Sequence, residues 1–338
     1  MTMISVVMTT YNGERFIKEQ LDSIYHQSVL PDEVLIFDDC STDETVKIIK
    51  DFIKKNKLEN WRIVVNKENM GWKKNFVQGI KKAEGDIIFL SDQDDIWKSS
   101  KIEEMARVMK TNPKIEILAG NSQNFYSCDE NFKLPPLYSL RKRAFYLNKI
   151  WMNKGFAAQL NKILKEGKKD TGEIIKVTFD DGILAMQRQG CVMAVRKSIL
   201  SKALNNWNEN CPHDSVLWFY GAINDSLFLL EKNVINYRHH ISNTGFRDTL
   251  GEGLTAKSEI KKCEEQLKQL EYLKGMLNED IEDLDRKKNV ILTIENYLKL
   301  RIRFLKQHRL QDGIAVIKGR GRASKRQVIF DWLLAYLT

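Results

Sequence analysis

Apolar and polar positions follow two alternating periods over the first 120 residues of the chain. Short apolar runs that fit buried strands are separated by segments in which apolar residues recur every three or four positions, as on one face of a helix. The strand-like runs are Ile4–Thr9, Val34–Phe37, Arg62–Val65, Ile87–Leu90 and Ile115–Leu118. This alternation predicts right-handed crossovers and an α/β fold, in which helices sandwich a mainly parallel sheet.

The segments between the runs predict the crossover helices. Ile17, Leu21 and Ile24 lie at helical spacing, and a second helix is expected after Ser41, with Glu44 as its capping-box partner. Open sheets of this kind bind ligands at the carboxyl ends of their strands. We therefore expect the functional residues in the loops that follow the strands.

The pattern is less regular in the rest of the chain. A helix is expected around Leu147–Ile163, a strand at Gly190–Val195 and a further helix at Asp214–Ile223. After about Thr249 the composition changes. Residues 254–310 lack proline and are rich in Lys, Glu, Leu and Ile, which predicts a helical hairpin that bends near Gly275 or Asn278.

Composition narrows the class of protein. Of the 338 residues, 43% are hydrophobic and 29% are charged, as in a globular protein with an ample core. No apolar stretch approaches the roughly 20 residues that cross a bilayer, and no signal peptide is recognisable, so a cytoplasmic location is expected. The five cysteines are scattered and form no CxxC pair, which argues against a disulfide framework and against structural zinc.

The net charge of +9 is concentrated near the end of the chain. Between Arg301 and Arg326 there are nine basic residues and one acid, Asp312. A basic segment of this kind suggests an anionic partner such as a membrane surface, a phospholipid-linked substrate or nucleic acid.

An acidic run, Asp92-Gln93-Asp94-Asp95, directly follows the apolar run Ile87–Leu90. So much negative charge is costly unless a cation neutralises it, and carboxylate oxygens suit Mg²⁺ or Mn²⁺. The run therefore predicts a site for a metal ion and, through the ion, a phosphate. A surface acidic turn is the alternative, which the buried strand before the run and Ile96-Trp97 after it disfavour.

Three other loops carry polar side chains at strand ends. Thr9–Gly13 can face a base and an anion, and a carboxylate in Asp38–Asp43 can accept from a pyrimidine N–H or a ribose hydroxyl. Asn66–Lys74 offers cations to a phosphate. Each loop alone is equally explained by an ordinary turn, a helix cap or solvated lysines.

Together the four loops resemble the nucleotide-sugar half of the inverting family 2 glycosyltransferases, which have the GT-A fold. The matching segments, in the family's order, are Val6–Gly13, Asp38–Asp43, Asn69–Gly71 and Ser91–Asp95. The resemblance covers roughly the first 245 residues. It implies a catalytic domain over 1–249, with a nucleotide-sugar half (1–120) and an acceptor half (121–249), and a basic helical C-terminal extension over 250–338.

The resemblance also implies roles for individual residues. Asp94 would be the main metal ligand, with Asp92 beside it and His240 as a third ligand or a diphosphate contact. The metal would act as a Lewis acid on the leaving nucleoside diphosphate. Asp39 would face the pyrimidine. The full set implied to bind the donor is Thr10, Tyr11, Asn12, Asp39, Asn69, Lys73, Asp92 and Arg238.

An inverting transfer needs a base, and the resemblance places it at Asp214, within Cys211–Ser215. Asp214 would alternatively be a helix N-cap, and Asp180 or Asp181 would then compete for the role of base. The residues implied to lie on the acceptor side are Asp95, Trp97, Gly190, Cys191, His213 and Trp218.

Two strings are similar to bacterial rhamnosyltransferases of this family, Asp92–Trp97 and Tyr237–Asn243. They imply transfer of rhamnose from dTDP-rhamnose to a polysaccharide or a lipid-linked oligosaccharide. A UDP-hexose donor stays open. A sugar-phosphate nucleotidyltransferase would need a glycine-rich, arginine-containing loop, but Thr9–Arg15 has only Gly13. A nucleic-acid-binding protein, the non-enzyme alternative, is disfavoured because the predicted crevice is acidic.

The C-terminal extension allows three interpretations. Its basic residues together with Trp332 can lie on an anionic membrane face, which would make the protein peripheral on the inner face of the plasma membrane. The hairpin can instead pack on the catalytic domain, or the apolar seam from Ile260 to Leu270 can support a homodimer.

Overall fold

The structure is a computed structural model that describes residues 2–126, 170–180, 182–205, 207–209, 211–240, 255–319 and 325–337. Three of the expectations above lie outside these residues. They are the helix around Leu147–Ile163, the alternative base Asp181, and Asn243 at the end of the rhamnosyltransferase-like string.

One mixed sheet runs through the described part of the chain. Its strands are β1 (Ile4–Thr10), β2 (Glu33–Asp38), β3 (Trp61–Val65), β4 (Ile87–Ser91), β5 (Ile96–Trp97), β6 (Ile117–Tyr126), β7 (Ile174–Lys176), β8 (Met193–Arg196) and β9 (Leu227–His239). They are arranged in the order β3-β2-β1-β4-β8-β6-β9-β5, and β7 pairs with β9.

Helices lie between and after the strands. They are α1 (Ile17–Tyr25), α2 (Thr45–Lys55), α3 (Trp72–Lys82), α4 (Lys101–Thr111), α5 (Ile183–Met186), α6 (Leu200–Ala203), α7 (His213–Ile223), α8 (Ala256–Lys274), α9 (Leu284–Gln307), α10 (Leu310–Lys318) and α11 (Lys325–Leu337). Short 3₁₀ turns occupy Gly190–Val192 and Lys197–Ile199.

The α/β class is confirmed, and the sheet has two differently built halves. Strands β1 to β4 pair in parallel, as the alternation predicts. Strand β8 then pairs antiparallel with both β4 and β6, and β5 and β7 pair antiparallel with β9. The expectation of a mainly parallel sheet is nevertheless confirmed, because β6 and β9 also pair in parallel and the antiparallel pairs are short.

Burial explains why the first half folds as its pattern predicts. Every residue of β1, β2 and β4 is buried. Ile17, Leu21 and Ile24, the apolar face of α1, are each 0% exposed. Burying one such side chain contributes about 1.5–3 kcal/mol to the stability of the fold. The apolar positions of the sequence pattern are therefore the positions that pack in the core.

Two local expectations were wrong. Helix α2 begins at Thr45, not directly after Ser41, because the Ser41 Oγ accepts from Asn12 N at 2.9 Å and donates to Asp38 Oδ2 at 2.6 Å, and so does not cap the helix. Asp43 accepts from Thr45 N at 3.0 Å instead. The expected strand at Gly190–Val195 starts as a 3₁₀ turn, and β8 begins only at Met193.

The predicted helical hairpin is present as α8 and α9, and it packs on the rest of the chain. The seam residues Cys263 and Leu270 are buried, and α8 packs on α9 of the same chain. Lys287, in α9, is 0% exposed; its Nζ donates to Ile223 O at 2.6 Å and to Asp225 Oδ2 at 2.7 Å. These contacts fix α9 to the end of α7 and support the packed hairpin, and membrane contact and a homodimer stay predictions.

Part of the basic charge near the C-terminus is neutralised within the fold. Arg301 is 4% exposed and donates to both carboxylate oxygens of Asp331 in α11, at 2.7 and 2.9 Å, with Glu259 also near. Arg303 donates to Asp312 at 2.6 Å. The surface charge is therefore smaller than the sequence count implies. None of the helices in the described ranges combines the length and hydrophobicity that a bilayer crossing requires.

Candidate functional site

The loops after β1 and β2 meet at the carboxyl edge of the sheet and are linked to each other. Thr10 is buried, and its Oγ1 donates to Asp38 Oδ2 at 2.6 Å. Asn12 is exposed with a φ of 46°; its N–H donates to Ser41 Oγ at 2.9 Å and its Oδ1 accepts from Thr42 N at 2.8 Å. Two of the predicted donor-binding residues thus hold the shape of this edge.

Gln93 clamps the first loop to the acidic run. Its Oε1 accepts from Tyr11 N at 2.8 Å, and its Nε2 donates to Tyr11 O at 3.0 Å. The Tyr11 side chain is 45% exposed and therefore accessible to a ligand. Sequence reasoning gave Gln93 no role. The sequence did offer one signal for such a role. Gln93 carries an amide, which can both donate and accept, and its neighbours in the run are carboxylates, which only accept.

Only glycine at position 13 leaves room for the Gln93 side chain. A Cβ at that position would lie 2.5 Å from Gln93 Cδ. We expect Gly13→Ala to displace the Gln93 amide and remove two hydrogen bonds, each worth about 0.5–1.5 kcal/mol. The expected result is roughly tenfold weaker binding of UDP or dTDP with Mn²⁺, measured by calorimetry.

The control is Gly275→Ala at the end of α8, where an added Cβ has one contact, Tyr272 O at 3.3 Å. This change should alter nucleotide affinity by less than a factor of two. Equal nucleotide affinities of Gly13→Ala and the wild type would show that the clamp does not shape the donor site.

Asp39 organises the third loop. Its Oδ1 accepts from Asn66 Nδ2 at 3.0 Å and from Met70 N at 2.9 Å, and its Oδ2 accepts from Gly71 N at 2.8 Å. Gly71 has a φ of 85°, a conformation that favours glycine. Asp39 is 3% exposed. Its contact with a pyrimidine stays a prediction, and its observed contacts fix the loop that would surround the base.

The cations of the third loop are oriented toward the loop before α7. Lys73 Nζ donates to Glu209 O at 3.0 Å and lies 5.7 Å from the centroid of the Trp72 ring. Asn69 is exposed, and its Oδ1 accepts from Gly71 N at 3.1 Å. Lys73 thus links the third loop to the loop before α7, and the contact of Lys73 and Asn69 with a phosphate stays a prediction.

The acidic run contains a carboxylate–imidazole pair. Asp94 Oδ2 lies 2.8 Å from His240 Nε2, although the two residues are 146 positions apart. The Asp94 side chain is 14% exposed and the His240 side chain is 4% exposed. The His240 ring packs on Phe16 with a centroid distance of 4.4 Å. The structure thus brings two of the three predicted metal ligands into direct contact.

Arg238 holds the acidic run in place. Its backbone N–H donates to Asp95 Oδ1 at 3.0 Å, its Nε donates to Asp94 O at 2.8 Å, and its guanidinium pairs with Glu19 at 2.7 Å. The guanidinium carbon also lies 4.8 and 4.6 Å from the centroids of two phenylalanine rings. These contacts explain why Arg238 is buried, since it positions the acidic run. Its contact with a diphosphate stays a prediction.

Behind this pair, Asp92, Asp95 and Cys191 form a second group whose ligand atoms all lie within 4.8 Å of one another. Asp95 is 0% exposed, and its Oδ2 has no hydrogen-bond partner among the described residues. Burial and the neighbouring Asp94 raise the pKa of Asp92 to about 7 and also raise that of Asp95. Burial raises the pKa of the Cys191 thiol, so it remains protonated.

Lys101, the first residue of α4, lies under this group and is 1% exposed. Its Nζ donates to Cys191 O at 2.7 Å and lies 3.4 Å from the centroid of the Trp97 ring. Burial lowers the pKa of Lys101 to about 7, against the opposing influence of Asp95 and Asp92. Sequence reasoning assigned Lys101 no role, because a lysine at the start of a helix is usually exposed on the surface.

The donor set fits Mg²⁺ or Mn²⁺. Asp92 and Asp94 offer carboxylate oxygens and His240 offers one imidazole nitrogen, while the nearby Cys191 sulfur is held as a neutral thiol. Hard oxygen ligands of this kind select those ions over softer metals. Burial, followed by the neighbouring Asp94, raises the pKa of Asp92, so a bound cation would favour its charged form.

Asp214 lies at the start of α7, facing the turn that carries Cys191. Its Oδ2 accepts from Gly190 N at 3.3 Å, and its Oδ1 accepts from Ser215 N at 2.7 Å. Its charge contributes to the raised pKa of Asp92. Asp214 therefore lies beside the acidic group, whereas the alternative base Asp180 accepts from Gly182 N and Thr178 Oγ1 within a local turn.

Three residues expected on the acceptor side are buried. Trp97 is 3% exposed, and Trp218 is 0% exposed within α7. His213 is 3% exposed and stacks on Phe76 with a centroid distance of 4.1 Å. Burial lowers the pKa of His213 to about 4, so its imidazole is neutral. These side chains pack behind the crevice, and their contact with an acceptor stays a prediction.

Comparison with known proteins matches residues 5–168 to the model of the family described as Glycosyl transferase family 2. The chain is 28% identical over 268 residues to the dTDP-rhamnosyl transferase RfbG of Shigella flexneri, covering 75% of this chain and 77% of that protein. It is 36% identical over 127 residues to a dolichyl N-acetyl-alpha-D-glucosaminyl phosphate 3-beta-D-2,3-diacetamido-2,3-dideoxy-beta-D-glucuronosyltransferase of Methanococcus voltae, covering 36% of this chain and only 39% of that relative.

Two solved structures share the fold. Staphylococcus aureus TarS 1–349 in complex with UDP-GlcNAc has a TM-score of 0.58 at 18% identity and covers 94% of this chain and 79% of its own. The mannosyltransferase PcManGT of Pyrobaculum calidifontis, in complex with GDP-Man and Mn²⁺, has a TM-score of 0.56 at 13% identity. The match covers 99% of this chain and 84% of PcManGT. Residues 5–168 therefore form a glycosyl transferase family 2 domain, and the chain has the GT-A fold that its sequence predicts.

Proposed function

We propose that this chain transfers a sugar from a nucleoside diphosphate donor to an acceptor hydroxyl, with inversion at the anomeric carbon. One observation carries the proposal. The dipeptide Gly190-Cys191 contacts Asp214 through the Gly190 N–H and lies against Asp92 and Asp95 through the Cys191 thiol. Gly190 and Cys191 thus link the proposed base, Asp214, to the proposed metal site.

The proposed division of labour follows the sheet. Residues 1–120 would bind the donor, with Tyr11 facing the base and the loop fixed by Asp39 around it. Residues 121–249 would bind the acceptor, and residues 250–338 would form the helical extension. The exposed Tyr11 ring supports this assignment, because an aromatic side chain held by its own backbone offers a base a rigid surface.

Asp94 and His240, together with Asp92, would hold Mg²⁺ or Mn²⁺, which when bound supplies Lewis-acid stabilisation of the leaving diphosphate. PcManGT, which shares the fold, was solved with Mn²⁺. Arg238 would keep Asp94 and Asp95 in position through its contacts with both residues.

Asp214 would remove the proton from the acceptor hydroxyl as its oxygen attacks the anomeric carbon. The carboxylate is partly exposed, and both of its oxygens are oriented by backbone N–H groups, of Gly190 and Ser215. A carboxylate held in this way would take the proton without moving, provided that the acceptor hydroxyl binds within hydrogen-bond reach of it.

For the donor we propose dTDP-rhamnose. The support is the likeness to RfbG over three quarters of the chain and the strings at 92–97 and 237–243. A UDP-hexose is the second candidate, favoured by the shared fold with TarS, which was solved with UDP-GlcNAc. We propose a polysaccharide or lipid-linked oligosaccharide as the acceptor, and a cytoplasmic location with peripheral contact at the inner face of the plasma membrane.

A donor panel tests the proposal. Purified protein is incubated with UDP-, GDP- and dTDP-sugars, with Mn²⁺ or with excess chelator, and released nucleoside diphosphate is measured. Release should be fastest with dTDP-rhamnose and should fall at least about a hundredfold in chelator. Full activity in chelator would contradict the metal role, and faster release from a UDP-hexose would select the second candidate. The anomeric configuration of the product, read by NMR, tests inversion.

A further inference from the structure

Lys101 is an unusual residue for its place in the fold. Lysine is almost never fully buried unless it is paired, yet Lys101 is 1% exposed at the start of α4. Its Nζ has one hydrogen bond, to Cys191 O, and one ring contact, with Trp97. Within the described ranges its ammonium group forms no direct salt bridge. Burying an ammonium group at this cost requires a compensating charge nearby.

The compensating charges belong to the acidic group. Lys101 Nζ donates to the carbonyl of Cys191, whose sulfur lies within 4.8 Å of a carboxylate oxygen of both Asp92 and Asp95. These two carboxylates oppose the effect of burial on the pKa of Lys101. Of the other cations at this edge, the Arg238 guanidinium already pairs with Glu19. Among the described residues, Lys101 is thus a cation that lies beside the carboxylates and forms a salt bridge to none of them.

We propose that the Lys101 ammonium is a resident counter-ion of the acidic group, which holds the carboxylates together in the absence of a divalent ion and weakens their hold on that ion. The inference rests on the proposed metal site. The bond from Lys101 to Cys191 O also keeps the Gly190-Cys191 turn against the carboxylates, so the charge and the turn that contacts Asp214 are fixed by one side chain.

The geometry gives the effect a definite sign. Lys101 repels a divalent cation bound at Asp92 and Asp94, and it stabilises the same carboxylates when no ion is bound. Removing its charge should therefore tighten metal binding. A residue that only filled space would change stability and leave metal affinity unaltered.

The test is Lys101→Met, which keeps a long flexible side chain against the Trp97 ring and removes the charge. Mn²⁺ binding is measured by the EPR signal of free Mn²⁺ without nucleotide, and thermal unfolding is followed in parallel. We expect Mn²⁺ to bind about tenfold more tightly than to the wild type, on the order expected for removing one like charge several ångströms away. The increase in thermal stability that Mn²⁺ causes should be larger than in the wild type.

Lys287→Met is the matched control. Lys287 is as deeply buried as Lys101, but its Nζ binds Asp225 and Ile223 O, away from the acidic group. Its replacement should lower thermal stability and leave the Mn²⁺ dissociation constant within twofold. An equal or weaker Mn²⁺ affinity in Lys101→Met would overturn the inference, as would the same tightening in Lys287→Met.

If Lys101→Met does not fold, the comparison is made in an Asp95→Asn background, in which one of the opposing charges is absent. The double variant should bind Mn²⁺ more tightly than Asp95→Asn alone, and equal affinities would overturn the inference. A wild-type protein that binds no Mn²⁺ would refute the proposed metal site and the counter-ion role together. Unaltered affinity in the variants, with metal bound by the wild type, refutes the role of Lys101 alone.

Discussion

Replacing Asp94 with asparagine should reduce sugar transfer at least about a thousandfold, which is the largest effect that we expect from a single change. The Asp94 carboxylate is the one that contacts His240, and it is partly open to the crevice. Asparagine keeps the shape but removes the negative charge that a metal needs. Transfer is measured at saturating donor over a range of Mn²⁺ concentrations, together with Mn²⁺ binding.

The control for this change is Asp86→Asn. Asp86 precedes β4, and its Oδ2 accepts from Met3 N at 2.9 Å, in an exposed position at the opposite end of the strand. Its replacement should leave the transfer rate within about twofold. A rate for Asp94→Asn within tenfold of the wild type would exclude Asp94 as a principal metal ligand.

Replacing Asp214 with asparagine should lower kcat by about 10²–10⁴ and leave donor binding unaltered. The amide Oδ1 can still accept from a backbone N–H, but the side chain can no longer take a proton. Nucleotide and Mn²⁺ dissociation constants are measured beside kcat, so that loss of the base is separated from loss of the site.

Asp180→Asn is the matched comparison, because Asp180 was the alternative base and its side chain serves a local turn. It should retain transfer within a few fold. Loss of kcat in Asp180→Asn with an active Asp214→Asn would move the base to the loop before α5. Loss of donor binding in Asp214→Asn would show instead that this carboxylate belongs to the donor site.

The first half of the fold was predictable because its determinants are local. Each of β1, β2 and β4 is buried along its whole length, and parallel pairing brings the ends of consecutive strands to one edge. The apolar pattern alone is therefore enough to place the Thr9–Gly13 loop and the Asp92–Asp95 run at the same edge of the sheet. That Asp94 and His240 would lie at one site was also expected, but only through the family resemblance.

The features that sequence reasoning missed depend on distant partners. The insertion of β8 between β4 and β6 brings Cys191 to the acidic run, and no periodicity reports such a pairing. Gln93 and Lys101 were overlooked because their roles come from Tyr11 and from the Cys191 carbonyl, which lie 82 and 90 positions away. Burial was also invisible, so Trp218 was expected to face an acceptor although it is fully enclosed.

The bond between Arg301 and Asp331 has a consequence for experiments that shorten the chain. Deletion of α11 would leave a guanidinium enclosed beside Glu259 with its main partner gone, a change that typically costs about 3–5 kcal/mol. A truncated protein that fails to sediment with vesicles would then report a damaged helical bundle as readily as a lost lipid contact. Charge reversal at Lys318, which is exposed at the end of α10, would probe lipid attraction and leave the bundle intact.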